Sequence, residues 1–193
     1  MRHWFWLCAV VLLASAAQGA VELNKLPATV RRVERLKEAA AAAQQQKKAL
    51  LFVLSEMKAK GGGKGNTLVL EATQQLFQKL RGPCVIVYVD FNTDRPKLAK
   101  ALPEINAAFD TEAARGPIPR AVATDAAGEK IYAIIPYAPA GPLGEEMLKE
   151  AKQRIQDALA GKLVTDEVGI PGEKKREIAP PPPAGGGKKK TEQ

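Results

Sequence analysis

The chain is poor in the residues that most often do metal and thiol chemistry: its 193 residues include one histidine, His3, and two cysteines, Cys8 and Cys84. Those counts exclude a His-based catalytic triad, a zinc-finger-like site and a disulfide-stapled scaffold. Aromatic residues make up only 5% of the chain, and the basic residues are spread along it without aromatics between them. Nucleic-acid binding therefore has no stacking platform to rest on. Continuous apolar sequence is also scarce. The longest run, Trp4 to Ala14, falls short of the roughly 20 residues that cross a bilayer as a helix. What remains is ordinary globular composition: 46% hydrophobic and 26% charged, with 29 Lys and Arg against 21 Asp and Glu for a net charge of +8. The length suits one domain with tails.

Residues 1–20 carry no acidic side chain and one basic one besides His3, namely Arg2; the apolar run follows, then Ser15, Ala16, Ala17, Gln18, Gly19 and Ala20. A charged start, a short apolar middle and a small-residue end predict a secretory signal peptide over 1–19, cut after Gly19 with the next bond as a close competitor, and hence export to the periplasm or the exterior. An uncleaved anchor is the alternative, and the apolar run is short for it. Cys8 precedes most of that run, whereas a lipid-attachment cysteine should follow it. Cleavage removes His3 and Cys8, leaves 28 basic against 21 acidic residues, and makes Cys84 the lone thiol of the mature chain. Residues 20–26 form a short lead with no stable membrane span expected after it.

The other end changes composition. Residues 163–193 include Gly169-Ile170-Pro171-Gly172, Pro180 to Pro183, Gly185 to Gly187 and Lys188 to Lys190. Consecutive prolines favour an extended conformation, and too few apolar side chains remain to offset ordering entropy, so this tail is expected to be disordered. It nets only +1, with six basic and five acidic residues, which suits a solvated tail better than an arm for an anionic surface.

Between the tails, apolar spacing predicts alternating helices and strands. Pro27 to Gln46 reads as one helix, with Val30, Val33, Leu36, Ala40 and Ala43 on one stripe and five consecutive alanines raising helix preference. Ala49 to Leu54 is a short apolar run that suits a strand buried on both faces. Lys58 to Gly65 reads as a loop, Asn66 or Thr67 as the cap of a helix over Leu68 to Leu80. Gly82-Pro83 stops that helix, and Cys84 to Phe91 reads as a β-branched strand. Leu98, Leu102, Ile105 and Phe109 recur at helical spacing, with Pro103 kinking that helix or starting another. Arg120 to Thr124 and Lys130 to Ile135 read as a hairpin turned through Asp125-Ala126-Ala127-Gly128, and Leu143 to Leu159 as a last helix. The expected architecture is α/β: a four-stranded mixed sheet with helices on both faces, spanning 27–162.

That order, together with Ala114-Arg115-Gly116-Pro117-Ile118-Pro119 before a strand and Thr124-Asp125-Ala126-Ala127-Gly128-Glu129-Lys130 before the next, resembles the thioredoxin-like superfamily. The resemblance implies a cis Ile118–Pro119 bond in a loop beside the active-site-equivalent position. Families of this type often have Thr after that proline; here it is Arg120. It also implies a Cys-x-x-Cys pair after the first core strand, where a helix N-terminus would stabilise a thiolate. The stretch Ser55 to Asn66 holds no cysteine, so the usual nucleophile for dithiol–disulfide exchange is missing. The glycine-rich stretch Gly61, Gly62, Gly63, Lys64, Asn66 lies near Ile118, Pro119 and Arg120 in such a fold, and the two together mark the expected contact face.

Other features compete for attention. Gly82-Pro83-Cys84 mimics the end of a redox motif, but it leads into a strand, where a cysteine among Val and Ile is usually a small buried hydrophobe. The alternative it raises is a single-cysteine thiol oxidoreductase using Cys84. Gly61 to Thr67 sits where phosphate-binding loops sit, which raises an anion or nucleotide binder, yet the Walker spacing fails at Lys58 and Gly65. Glu145-Glu146 suit a helix start and Asp90 and Asp94 suit turns. Tyr132 and Tyr137, with Pro136, Pro139 and Pro142, read either as an exposed binding surface or as a strand end. The resulting expectation is an exported, redox-inactive thioredoxin-like module that binds a protein or an envelope component, without cofactor, metal or nucleic acid.

Overall fold

Residues 26–56, 64–114 and 116–162 are described by a computed structural model. The signal peptide expected over 1–19, nearly all of the lead 20–26, the tail 163–193, Gly61 to Gly63 and Arg115 lie outside the described residues. Two apolar runs form the centre. Ala49–Ser55 is strand β2, buried at every position, and Cys84–Asp90 is strand β3, lying parallel to it from Ala49↔Cys84 to Ser55↔Asp90. A strand with apolar side chains on both faces must be covered on both. Helix Lys64–Leu80 crosses from one strand to the other on one face.

The sheet has one strand more than the sequence predicts. Among the described residues five strands run in the order β1-β3-β2-β4-β5, where β1 is Arg31–Arg32, β4 is Arg120–Thr124 and β5 is Ile131–Ile135. Strand β1 pairs parallel with β3 at Arg31↔Val87 and Arg32↔Tyr88. The expected helix over Pro27 to Gln46 is therefore divided: after β1 comes a 3-10 turn, Val33–Arg35, and only then helix α1, Leu36–Gln46. The physical reason lies in two valines. Val30 packs into the core on one face of the sheet and Val33 into the core on the other, which a single helical stripe cannot do. Pairing here also satisfies backbone groups on the outer edge of β3.

Strands β4 and β5 are antiparallel, β4 pairing with β2 and β5 with β4. Their link is the expected hairpin: the Asp125 amide donates to the Lys130 carbonyl (3.0 Å), the Asp125 side chain accepts from the Glu129 amide (2.8 Å), and Gly128 takes φ +78°. Pro103 starts a new helix. Helix α3, Arg95–Ala101, ends before Leu102, whose extended backbone (φ −142°, ψ 76°) suits a residue preceding proline, and α4 runs Pro103–Ala108. A 3-10 turn, Glu112–Ala114, leads toward β4. The last helix, α5, is Pro142–Leu159.

Lys64–Leu80 is α2, and it corrects the predicted loop and cap: Lys64, Gly65, Asn66 and Thr67 belong to the helical backbone. Poor helix formers cost least in a first turn, where the amides lack intrahelical acceptors in any case. Helices α2 and α5 bury Leu76, Phe77, Leu80, Leu148, Ala151 and Ile155 on one sheet face. On the other, α1, α3 and α4 bury Ala39, Ala43, Leu98, Ile105 and Ala108 against Phe52 and Val87. The result is a mixed α/β architecture, a five-stranded mixed sheet with helices on both faces. No helix of the described residues is long and apolar enough to cross a membrane.

Candidate functional site

The carboxyl end of β2 is the point on which the candidate residues converge. Strand pairing sets Leu54 of β2 opposite Arg120 of β4, so Pro119, one residue earlier, falls beside Ser55 at the strand's end. The Ile118–Pro119 peptide bond is cis. Pro119 is buried, Ile118 is half-buried against the core below, and Gly116 and Pro117 are exposed. Gly116 has φ +138°, a conformation that side chains with a Cβ rarely adopt. The chain leaving β2 re-enters the described residues at Lys64, and Lys64 and Asn66 lie in the first turn of α2 rather than in a loop.

Below this face lies a polar network that the sequence did not disclose. The Ser55 and Thr73 hydroxyls are 2.7 Å apart and buried, and Thr73 also donates to the Val69 carbonyl (2.7 Å) within α2. The Tyr88 hydroxyl donates to the Ser55 carbonyl at 3.2 Å. Each group thus has a partner, as burial requires. The signal was faint: a serine closing an apolar run and a threonine inside an apolar helical stripe. Asp90 and Asp94 are turn formers. The Asp90 carboxylate accepts from the amides of Asn92 and Thr93, both at 3.0 Å. The buried Asp94 carboxylate accepts from the Asp90 amide (3.3 Å) and from Lys97 (3.1 Å). Lys97 also pairs with Glu34, which with its own hydrogen bonds holds the Glu34 carboxyl below the usual range.

Cys84 is not part of this site. It opens β3 at the end opposite Asp90, and the seven residues of that strand place it about 20 Å from the Ser55 end. Its side chain is only 3% exposed. Burial pushes its thiol up to about 12, against a small opposing pull from Lys48. Cys84 is the buried core residue expected among Val and Ile, and the alternative of a single-cysteine enzyme calls for an accessible thiol with thiolate character.

The remaining candidates are structural. Tyr132, the second residue of β5, is half-buried against the core, and its carbonyl accepts from Arg154 (3.1 Å). Glu145 pairs with Lys79 across the α2–α5 contact at 3.0 Å. Beside that pair lies an open hollow of about 460 Å³ lined by charges of both signs, Glu146 with Lys149 and Lys152. Among the described residues no three potential ligands of His, Cys, Asp or Glu type cluster as a metal site would need.

No protein-family model matches the chain, and no curated protein matches it. Among solved structures it is similar to a disulphide isomerase from Xylella fastidiosa Temecula1, at 20% identity and a TM-score of 0.31, over 66% of this chain and 88% of that one.

Proposed function

We propose that this chain is an exported thioredoxin-like protein that binds an extended polypeptide or another envelope component and does not exchange dithiols for disulfides. The reading is supported by the leader-like start, by the strand order, and by the face formed where Gly116 to Pro119 meets the end of β2. One observation carries it: the sole cysteine outside the leader-like segment is buried at the far end of β3, with its thiol pushed up to about 12. A thiol in that state supplies almost no nucleophilic thiolate at neutral pH.

The exposed Gly116 and Pro117, with half-buried Ile118, offer backbone and apolar surface. That combination suits recognition of an extended chain through main-chain contacts. In an insulin-reduction assay with dithiothreitol, added protein is expected to leave the rate at that of dithiothreitol alone. Strong catalytic turnover would overturn the reading.

A further inference from the structure

Arg120 follows Pro119 directly, and its backbone is fixed by pairing with Leu54 in the centre of the sheet. Its side chain turns to the α3–α4 face. There one terminal nitrogen, Nη1, donates to the Phe109 carbonyl at 2.8 Å and to the Ala114 carbonyl at 3.3 Å. Phe109 is the residue capping α4 and Ala114 closes the following 3-10 turn, so both are places where carbonyls run out of regular helical partners. One cation thus ties the start of β4 to two earlier points of the segment that leads into it.

The position is a costly one for a cation. Burial disfavours the charged guanidinium, as does Arg95, while Asp110 favours it. Arg95 is itself engaged, pairing with Asp110 and donating to Asn106 Oδ1 at 3.3 Å. Arg120 Nε is buried with no hydrogen-bond partner among the described residues. An unmatched donor and a neighbouring like charge are tolerated only if the two carbonyl contacts accomplish something in return.

We propose that Arg120 is a positioning residue for the contact face: by bridging the Phe109 and Ala114 carbonyls it holds Gly116 to Pro119 in one placement against the end of β2. The role rests on the binding reading above. A loop held in its binding arrangement spares a ligand the entropy of ordering it. Removing the donors while keeping an apolar stem frees the loop and leaves the sheet intact.

The test compares the wild-type chain with Arg120→Met and, as a charge-retaining variant of shorter reach, Arg120→Lys. Two readouts are needed: amide hydrogen exchange, and binding to an immobilised polypeptide that has been reduced and carboxymethylated so that it stays extended. In Arg120→Met the amides of Gly116 and Ile118 are expected to exchange at least about tenfold faster, while those of Leu51 and Phe52 keep their wild-type rates. Affinity for the probe is expected to fall about tenfold, with Arg120→Lys intermediate in both. Unchanged loop exchange, or equal acceleration in loop and core, would overturn the positioning role. So would a faster loop with unaltered probe affinity. Failure of the wild-type chain to bind the probe would instead overturn the binding reading, with the exchange data still deciding whether Arg120 holds the loop.

Discussion

Gly144→Ala is expected to destabilise the protein by about 3 kcal/mol or more, although alanine is the better helix former by about 1 kcal/mol. Gly144 is buried in the first turn of α5. A Cβ there would stand 1.8 Å from the Pro139 carbonyl oxygen and 2.9 Å from its carbon. Those are backbone atoms, and their segment has little room to retreat. The Gly141 amide donates to Gln75 Oε1 at 2.8 Å, which clamps the approach to α5 onto α2. Gly82 provides the contrast, since a Cβ added there meets nothing within 4 Å. Urea denaturation of Gly144→Ala and Gly82→Ala measures the difference. Equal midpoints for the two variants would mean that the α5 entry is not packed as described.

Phe52→Ala is expected to cost about 3–5 kcal/mol, a large part of the roughly 5–15 kcal/mol that holds a domain of this kind folded. Phe52 is fully buried in β2. It lies level with Val87 of β3 and Val122 of β4, and its cluster includes Ala39, Leu98 and Phe109 from three different segments. Truncation leaves a cavity that the paired backbones on either side keep from closing. The urea midpoint should fall with the slope unchanged, because the surface exposed on unfolding hardly alters. By comparison Leu143, 66% exposed, should tolerate alanine to within about 0.5 kcal/mol.

Both effects sit in elements that the sequence made plain for a physical reason. The runs Ala49 to Leu54 and Cys84 to Phe91 are apolar on both sides of the pleat, and that pattern belongs to a strand covered on both faces wherever it occurs. Pro103 and Gly128 likewise act through their own backbone, so the break between α3 and α4 and the β4–β5 turn were legible. Strand β1 was not. Two arginines carry no local signature of a strand, and they become one because the outer edge of β3 is there to receive them. The start of α2 was read too late for a related reason: glycine and asparagine argue against a helix interior, yet cost little in an opening turn.

The candidate site was legible to a lesser degree. Ile118 and Pro119 stood out as a dipeptide before a strand, and Cys84 as a thiol among β-branched neighbours. Asp90 and Asp94 declared themselves as turn residues by their type. The Ser55–Thr73–Tyr88 network joins three elements far apart in the chain, and no spacing rule links them. Arg120 was visible only as an odd residue at its position. Its partners are backbone carbonyls, which every residue possesses, so nothing in their side chains pointed back to it.

Under the proposed reading Cys84, the free thiol among the described residues, stays out of chemistry, and its alkylation tests that reading most directly. The native chain is exposed to iodoacetamide at neutral pH beside a sample unfolded in guanidinium chloride, and the peptide carrying Cys84 is followed by mass spectrometry. Modification in the native state is expected to be slower by at least about a hundredfold, at a rate set by opening of the fold. Native labelling as fast as that of the unfolded chain would contradict the account, because it would place a reactive thiolate at the surface.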